Sequence, residues 1–269
     1  MKHLGKILIA AGTLALGSMG HAAPVTDWAV TTVGTWTAWA PSGVTHNGDT
    51  LSWGMPNTTG GQQSSLVITN PAVQNIQTYF GLTPPQAAPY LADSVTLTHN
   101  NYVLQGGSTT LTSATLSVAM TVQATNTIPV GSIKSLETIN YKIKFVETTN
   151  SAGTCAAASP PGNPCNDIFV LLDSPLLNET FNYGGIDYYV NAFPLAGNVL
   201  STLPNAVCQA ANVAIGCTGF TTIENQSNAL PWGLTISTNP LQVPEPGSLA
   251  LIGLALAGAG LISRRRRSA

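Results

Sequence analysis

ATLSVAMTVQAT, residues 114–125, places Leu116, Val118, Met120 and Val122 on one side of an extended chain and Thr115, Ser117, Ala119 and Thr121 on the other. Successive side chains of a strand point to opposite faces, so a period of two held over this length predicts a strand with one face in a core and one in water. TINYKIKFV, residues 138–146, repeats the pattern with Ile139, Tyr141, Ile143 and Phe145 opposite Asn140, Lys142 and Lys144. The two lysines are expected on a solvated face, as a solubilising or an edge-protecting stripe rather than a site.

Outward from this pair the chain continues in the same vein. Residues 28–39 carry Trp28, Val30, Val33, Trp36 and Trp39 among threonines, with Gly34 as a place for a bulge or bend. Shorter strands are expected at 50–55, 65–69, 94–99 and 102–104, and further ones at 181–183, 186–193 and 232–237. Residues 167–172 are nearly all apolar and read as a strand buried on both sides. Residues 73–79 hold the one plausible helical turn, stopped by Thr83-Pro84-Pro85, and 201–219 reads as a small-residue loop. So many strands without intervening helices predict an all-β fold, an antiparallel β-sandwich or jelly-roll-like body.

Both ends differ from this body. Lys2 and Lys6 precede an apolar run over 7–19, and Gly20-His21-Ala22 supplies the small residues that signal peptidase reads, so residues 1–22 are expected to be a signal peptide. A retained N-terminal anchor is the alternative, but the run is short for a span. At the other end Pro244-Glu245-Pro246 precedes an almost wholly apolar run over 247–263 and four arginines at 264–267. As a helix rising about 1.5 Å per residue the run falls just short of a roughly 30 Å hydrocarbon core. The arginines should stay cytoplasmic, because each costs a few kcal/mol to carry through the bilayer, so the body is placed outside. The organisation is thus a leader (1–22), an extracytoplasmic β-rich domain (23–240) and a sorting or anchoring tail (241–269).

Charge supports export. With Lys2, Lys6 and the four arginines set aside, only Lys134, Lys142 and Lys144 remain in the body against ten acidic residues, so it carries about −7 where the whole chain carries −2. Little basic surface is left to neutralise phosphates, which argues against nucleic acid and anionic lipid as partners. Charged residues are 7% of the chain, well below the roughly 25% of ordinary globular proteins, and Thr, Ser, Asn and Gln take the polar positions. That suits a neutral, solvated sheet face; a mucin-like stalk is disfavoured because apolar and aromatic residues recur regularly. Cys155 with Cys165 and Cys208 with Cys217 form two close pairs, expected as local disulfides in an oxidising compartment. Neither pair has the short knuckle of a zinc site.

The tail resembles the PEP-CTERM sorting signal of Gram-negative bacteria. The resemblance implies recognition at Pro244, Glu245 and Pro246 by an exosortase after signal peptidase has acted, transient residence in the inner membrane, and delivery to the cell surface or extracellular matrix. Thr98-His99-Asn100-Asn101, preceded by Ser52-Trp53-Gly54 and by 61–66 (GQQSSL), is similar to the THxN family of such proteins, with Thr98, His99 and Asn101 in the motif positions. That likeness implies a setting of exopolysaccharide, biofilm or floc, with an extracellular polysaccharide as candidate partner. The copy at Thr45-His46-Asn47 has Gly48 where Asn is expected and reads as a chance turn.

Chemistry is harder to find. At a strand end Thr98, His99 and Asn101 can satisfy backbone groups at a corner, which is the expected role. A metal bound by His99 with Asn101 or Asp93 is the functional alternative, but one histidine and scattered carboxylates make a weak ligand set. No Gly-x-Ser-x-Gly elbow, His-Glu-x-x-His or phosphate loop is present. No catalytic residue, metal or cofactor is therefore assigned, and the chain is expected not to be an enzyme. The leading expectation is a structural or adhesive exported protein. A carbohydrate-binding module is the first rival, needing Trp28, Trp36, Trp39, Trp53 or Trp232 exposed side by side. A secreted hydrolase is the second, needing His99 between a carboxylate and a serine.

Overall fold

A computed structural model of the chain describes residues 23–85, 87–150, 154–172, 178–195 and 201–241. The leader at 1–22 and the tail from 242 onward, with Pro244, Glu245 and Pro246, lie outside them. Among the described residues no helix is long and apolar enough to cross a membrane.

The first half of the body holds β1 (Asp27–Ala40), β2 (Thr45–Asn47), β3 (Thr50–Trp53), β4 (Ser64–Thr69), β5 (Gln74–Gln77), β6 (Ala92–Asn101) and β7 (Ser113–Ala124). The second holds β8 (Lys134–Ser135), β9 (Ile139–Val146), β10 (Asp167–Leu171), β11 (Glu179–Tyr183), β12 (Ile186–Pro194), β13 (Ser201–Thr202), α1 (Asn205–Ala210), β14 (Thr218–Thr222) and β15 (Gln226–Ser237). They form two antiparallel sheets. One runs β13-β14-β10-β9-β7-β1-β5, with β8 added beside β7; the other runs β11-β12-β15-β6-β4-β3-β2.

The alternation read in the sequence decides which side chains meet. In β7 Leu116, Val118, Met120 and Val122 are buried, and in β9 Ile139, Tyr141, Ile143 and Phe145, with Lys142 exposed. Across the interface they join Leu51, Leu66, Val95, Leu97, Leu234 and Ile236 of the second sheet in one hydrophobic core. The result is the all-β sandwich that the pattern predicts. Asp167 to Val170 are indeed covered on both faces, while Leu172, included in the expected strand, is exposed. Phe169 belongs to the main core, while Ile168 and Val170 turn outward into a smaller cluster with Leu203, Val207 and Ala211 from the α1 region.

Several sequence expectations need correction. Residues 73–79 contain β5, not a helical turn; only Ile76 of the strand is buried, and β5 fills the ladder beside the start of β1, from Asp27↔Gln77 to Val30↔Gln74. The 201–219 loop contains α1 and the start of β14, because the doubly buried β10 needs a cover and a partner strand. Lys142 and Lys144 protect no edge, since β9 lies between β7 and β10. Gly34 makes no bulge either. It pairs in register with Val118, and the shift falls between Trp36 and Ala38. A Cβ at Gly34 would sit 3.0 Å from Ile68 and 3.1 Å from Val95, so the glycine instead lets the opposite sheet come close. Thr45-His46-Asn47 is the edge strand β2, folded back on β3 through a turn in which Gly48 has φ 58°.

Candidate functional site

Thr98-His99-Asn100-Asn101 ends β6 in the middle of the second sheet. His99 pairs with Leu66 of β4 on one side and Asn228 of β15 on the other. With both edges occupied, the backbone is satisfied by ladders, and the alternation sends His99 and Asn101 into the sandwich while Thr98 and Asn100 face outward. Asn100 then ties the outer face, donating to Ser65 Oγ at 3.1 Å and accepting from Ser227 Oγ at 2.8 Å. The corner role expected for the motif is therefore replaced by a core role.

His99 is 1% exposed. Its ring stacks on Trp53, with centroids 5.5 Å apart and planes 12° apart, and meets Phe169 and Phe145 edge-on at 4.9 and 5.4 Å. Nδ1 lies 2.8 Å from Thr222 Oγ1 of the facing sheet, and Nε2 has no partner. Burial holds the imidazole down at about 3, so it is neutral at ordinary pH. Asp93, the carboxylate considered as its partner, is exposed and six residues back on the same strand, roughly 20 Å away by strand rise.

A different set of acidic residues gathers here. Glu147 follows β9, Asp167 opens β10 opposite Thr222 of β14, and Glu224 lies two residues beyond Thr222. Each offers a carboxylate oxygen within 4.8 Å of the other two. Asp167 is fully buried, Glu224 is 3% exposed and Glu147 is half-buried. One oxygen of Glu147 accepts from Trp53 Nε1 at 3.1 Å, and one of Asp167 accepts from the Thr148 N–H at 2.8 Å. Glu147 Oε1, Asp167 Oδ2 and both oxygens of Glu224 have no hydrogen-bond partner among the described residues.

Electrostatics follow from that crowding. Burial, with Glu147 and Glu224 close by, pushes Asp167 up to about 9 despite the Thr148 N–H. Glu147 is pushed up to about 7 by burial and by Glu224, against the pull of Trp53. Glu224 is raised by burial, while Asn101 favours its ionised form. Asn101 itself is fully buried against Glu224, yet neither its Oδ1 nor its Nδ2 makes a hydrogen bond of ordinary geometry. The carboxylate set offers oxygen donors, the chemistry of a hard cation rather than of zinc.

Of the three carboxylates, Glu147 is the one that meets a solvent cleft. Glu147 lines a cleft of about 370 Å³ with Leu104, Gly107, Thr148 and Asn150. Close by, the Cys155–Cys165 disulfide is fixed to the same turn, since Thr148 Oγ1 donates to Cys165 O at 2.8 Å. The second disulfide, Cys208–Cys217, ties α1 to the lead-in of β14. Sequence reasoning missed the three carboxylates because they are scattered over some eighty positions. One signal was available: Glu147 continues the inward phase of Tyr141, Ile143 and Phe145.

Aromatic residues serve the core. Trp28, Trp36, Trp53 and Trp232 are all buried, and Trp39 is half-buried against His46 with ring centroids 4.4 Å apart. The side-by-side exposed platform required by a sugar-binding module is not formed by these tryptophans. Nor does His99 bond to a carboxylate or a serine.

Residues 242–267 match the family model of the PEP-CTERM protein-sorting motif. That motif implies an exported, membrane-transiting protein processed by exosortase. No curated protein matches it in sequence.

Proposed function

We propose that this chain is a non-enzymatic structural or adhesive protein of the THxN kind, released by exosortase to the cell surface or extracellular matrix of a Gram-negative bacterium. Its setting is exopolysaccharide-associated biofilm or floc. The sorting motif over 242–267 is the observation that carries the reading. The body supports it: a disulfide-pinned sandwich with few charges suits an extracellular module, and its motif histidine and most of its tryptophans are spent on packing.

Intact-mass spectrometry on membrane, surface and medium fractions of the producing cells tests it. Surface material is expected to lack residues 1–22 and everything after about Pro246, and deletion of the chain is expected to weaken floc or biofilm cohesion. A mature form that keeps Arg264–Arg267 in the inner membrane would overturn the matrix role.

A further inference from the structure

We propose that Glu147, Asp167, Glu224 and Asn101 bind one hard divalent cation, with calcium preferred over magnesium, at the end of the sandwich. Calcium takes oxygen ligands at 2.3–2.6 Å, so opposite ligands stand roughly 4.6–5.2 Å apart. Three carboxylate oxygens that all lie within 4.8 Å of one another match that sphere.

Independent of the acidic cluster, Asn101 points to a ligand. Asn101 is fully buried, with its Nδ2 turned to Glu224 outside ordinary hydrogen-bond geometry and its Oδ1 without a partner among the described residues; an orphaned buried acceptor of this kind costs roughly 1–3 kcal/mol unless something else engages it. Its Oδ1 is a neutral oxygen donor of the kind that completes calcium sites. The hydrogen bonds already present have the logic of outer support: Trp53 and Thr148 each hold one oxygen of a carboxylate, while Glu147 Oε1 and Asp167 Oδ2 stay free. Glu224, with two unpartnered oxygens, is able to bind through both. The cleft beside Glu147 supplies the entry path and room for water ligands. Calcium suits this arrangement better than magnesium because ligands from four separate segments give an irregular shell, whereas magnesium demands a near-ideal octahedron.

The site also explains why the motif's His99 and Asn101 sit together in the core. His99 packs on Trp53 and bonds Thr222, the partner of Asp167, so it positions two of the ligands without being one.

The test uses the exported protein purified from the producing cells and stripped with EGTA. Calorimetric titration with calcium chloride is expected to give one site per chain, with affinity on the order of the 10⁻⁴–10⁻³ M typical of extracellular modules. Calcium at one hundred times its dissociation constant should raise the unfolding midpoint by about 5–10 °C. Asp167→Asn and Glu224→Gln should abolish both effects; they remove mutual repulsion, so they are expected to fold at least as well as the stripped protein. Asp93→Asn, on the same strand as the motif but exposed, should leave both unchanged. The proposal fails if calcium gives neither heat nor a shift, if magnesium binds more tightly, or if the shift survives in Asp167→Asn.

Discussion

Asp167 is fully buried with two other carboxylates around it, and what acts on the three is burial, one another and neutral donors from Trp53, Thr148 and Asn101. In the cation-free chain this arrangement has a pH signature. Asp167 is raised to about 9 from 3.8 and Glu147 to about 7 from 4.5, so between those values the native chain holds protons that the unfolded chain has lost. Stability then falls as pH rises. His99 acts in the opposite sense: lowered to about 3 from 6.5, it leaves the native chain short of a proton, so its contribution is lost as pH falls below 6.5. Above pH 6.5 the carboxylates act alone. Thermal melts in EGTA should therefore show a midpoint that declines from pH 6.5 to 9, and saturating calcium should flatten the decline by binding the ionised forms. A midpoint that is level or rising in EGTA would mean that the three carboxyls ionise without cost. Little of this site was legible from sequence. His99 and Asn101 stood out as a motif, but their partners come from β9, β10 and the segment after β14, and only the folding of one sheet over the other brings them together.

At the scale of elements, β14 shows how a strand is made by its neighbour. Its first two residues, Thr218 and Gly219, read as the end of a small-residue loop, yet β10 is buried on both faces and needs a partner for its free edge. Gly219 permits the pairing. A Cβ there would lie 1.9 Å from the carbonyl oxygen of Phe169 and 3.0 Å from Leu203, and backbone cannot give way as a side-chain tip can. Gly219→Ala is expected to push β14 off β10 and cost about 3 kcal/mol or more. Gly106→Ala, into open space, should stay within about 0.5 kcal/mol of the parent. Urea unfolding of the two variants checks the contrast, and equal midpoints would remove β14 from the cooperative unit. The same contrast explains what the sequence made visible. β7 and β9 declare themselves because one face is core and the other is water, whereas β5, β13 and β14 are short pieces whose extended form comes from a ladder supplied by distant residues. Gly34 was read as a bulge or bend, whereas it serves the close approach of the opposite sheet, which only the packed sandwich reveals.

The whole molecule is closed by its own C-terminal strand. β15 sits between β12 and β6 in the middle of the second sheet, so the sandwich is incomplete until almost the entire body has been made. Beyond β15 the described chain, as far as Leu241, is tied to the body. Thr238 N–H donates to Tyr79 O at 3.2 Å, Asn239 Nδ2 to Phe80 O at 3.0 Å, and Leu241 is 4% exposed with its N–H 2.6 Å from Asn178 Oδ1. Asn178 Nδ2 returns a bond to Leu241 O, which makes Leu241 a clasp on the segment before β11. Leu241 stands three residues before Pro244, near which exosortase processing is expected. A chain ending at Val243 should therefore unfold at the same temperature as the unprocessed chain in detergent. A chain ending at Ser237 loses the burial of Leu241 and five hydrogen bonds, counting that from Ser237 Oγ to Asn239 O, about 3–5 kcal/mol together, and its midpoint should drop on the order of 10 °C. If the shorter chain melts with the longer one, the clasp contributes nothing and the fold ends at β15. If the chain ending at Val243 melts lower than the full chain, the tail is part of the fold and its removal would weaken the exported body. The predicted pattern, loss only with the shorter cut, leaves the sandwich whole when the tail is removed.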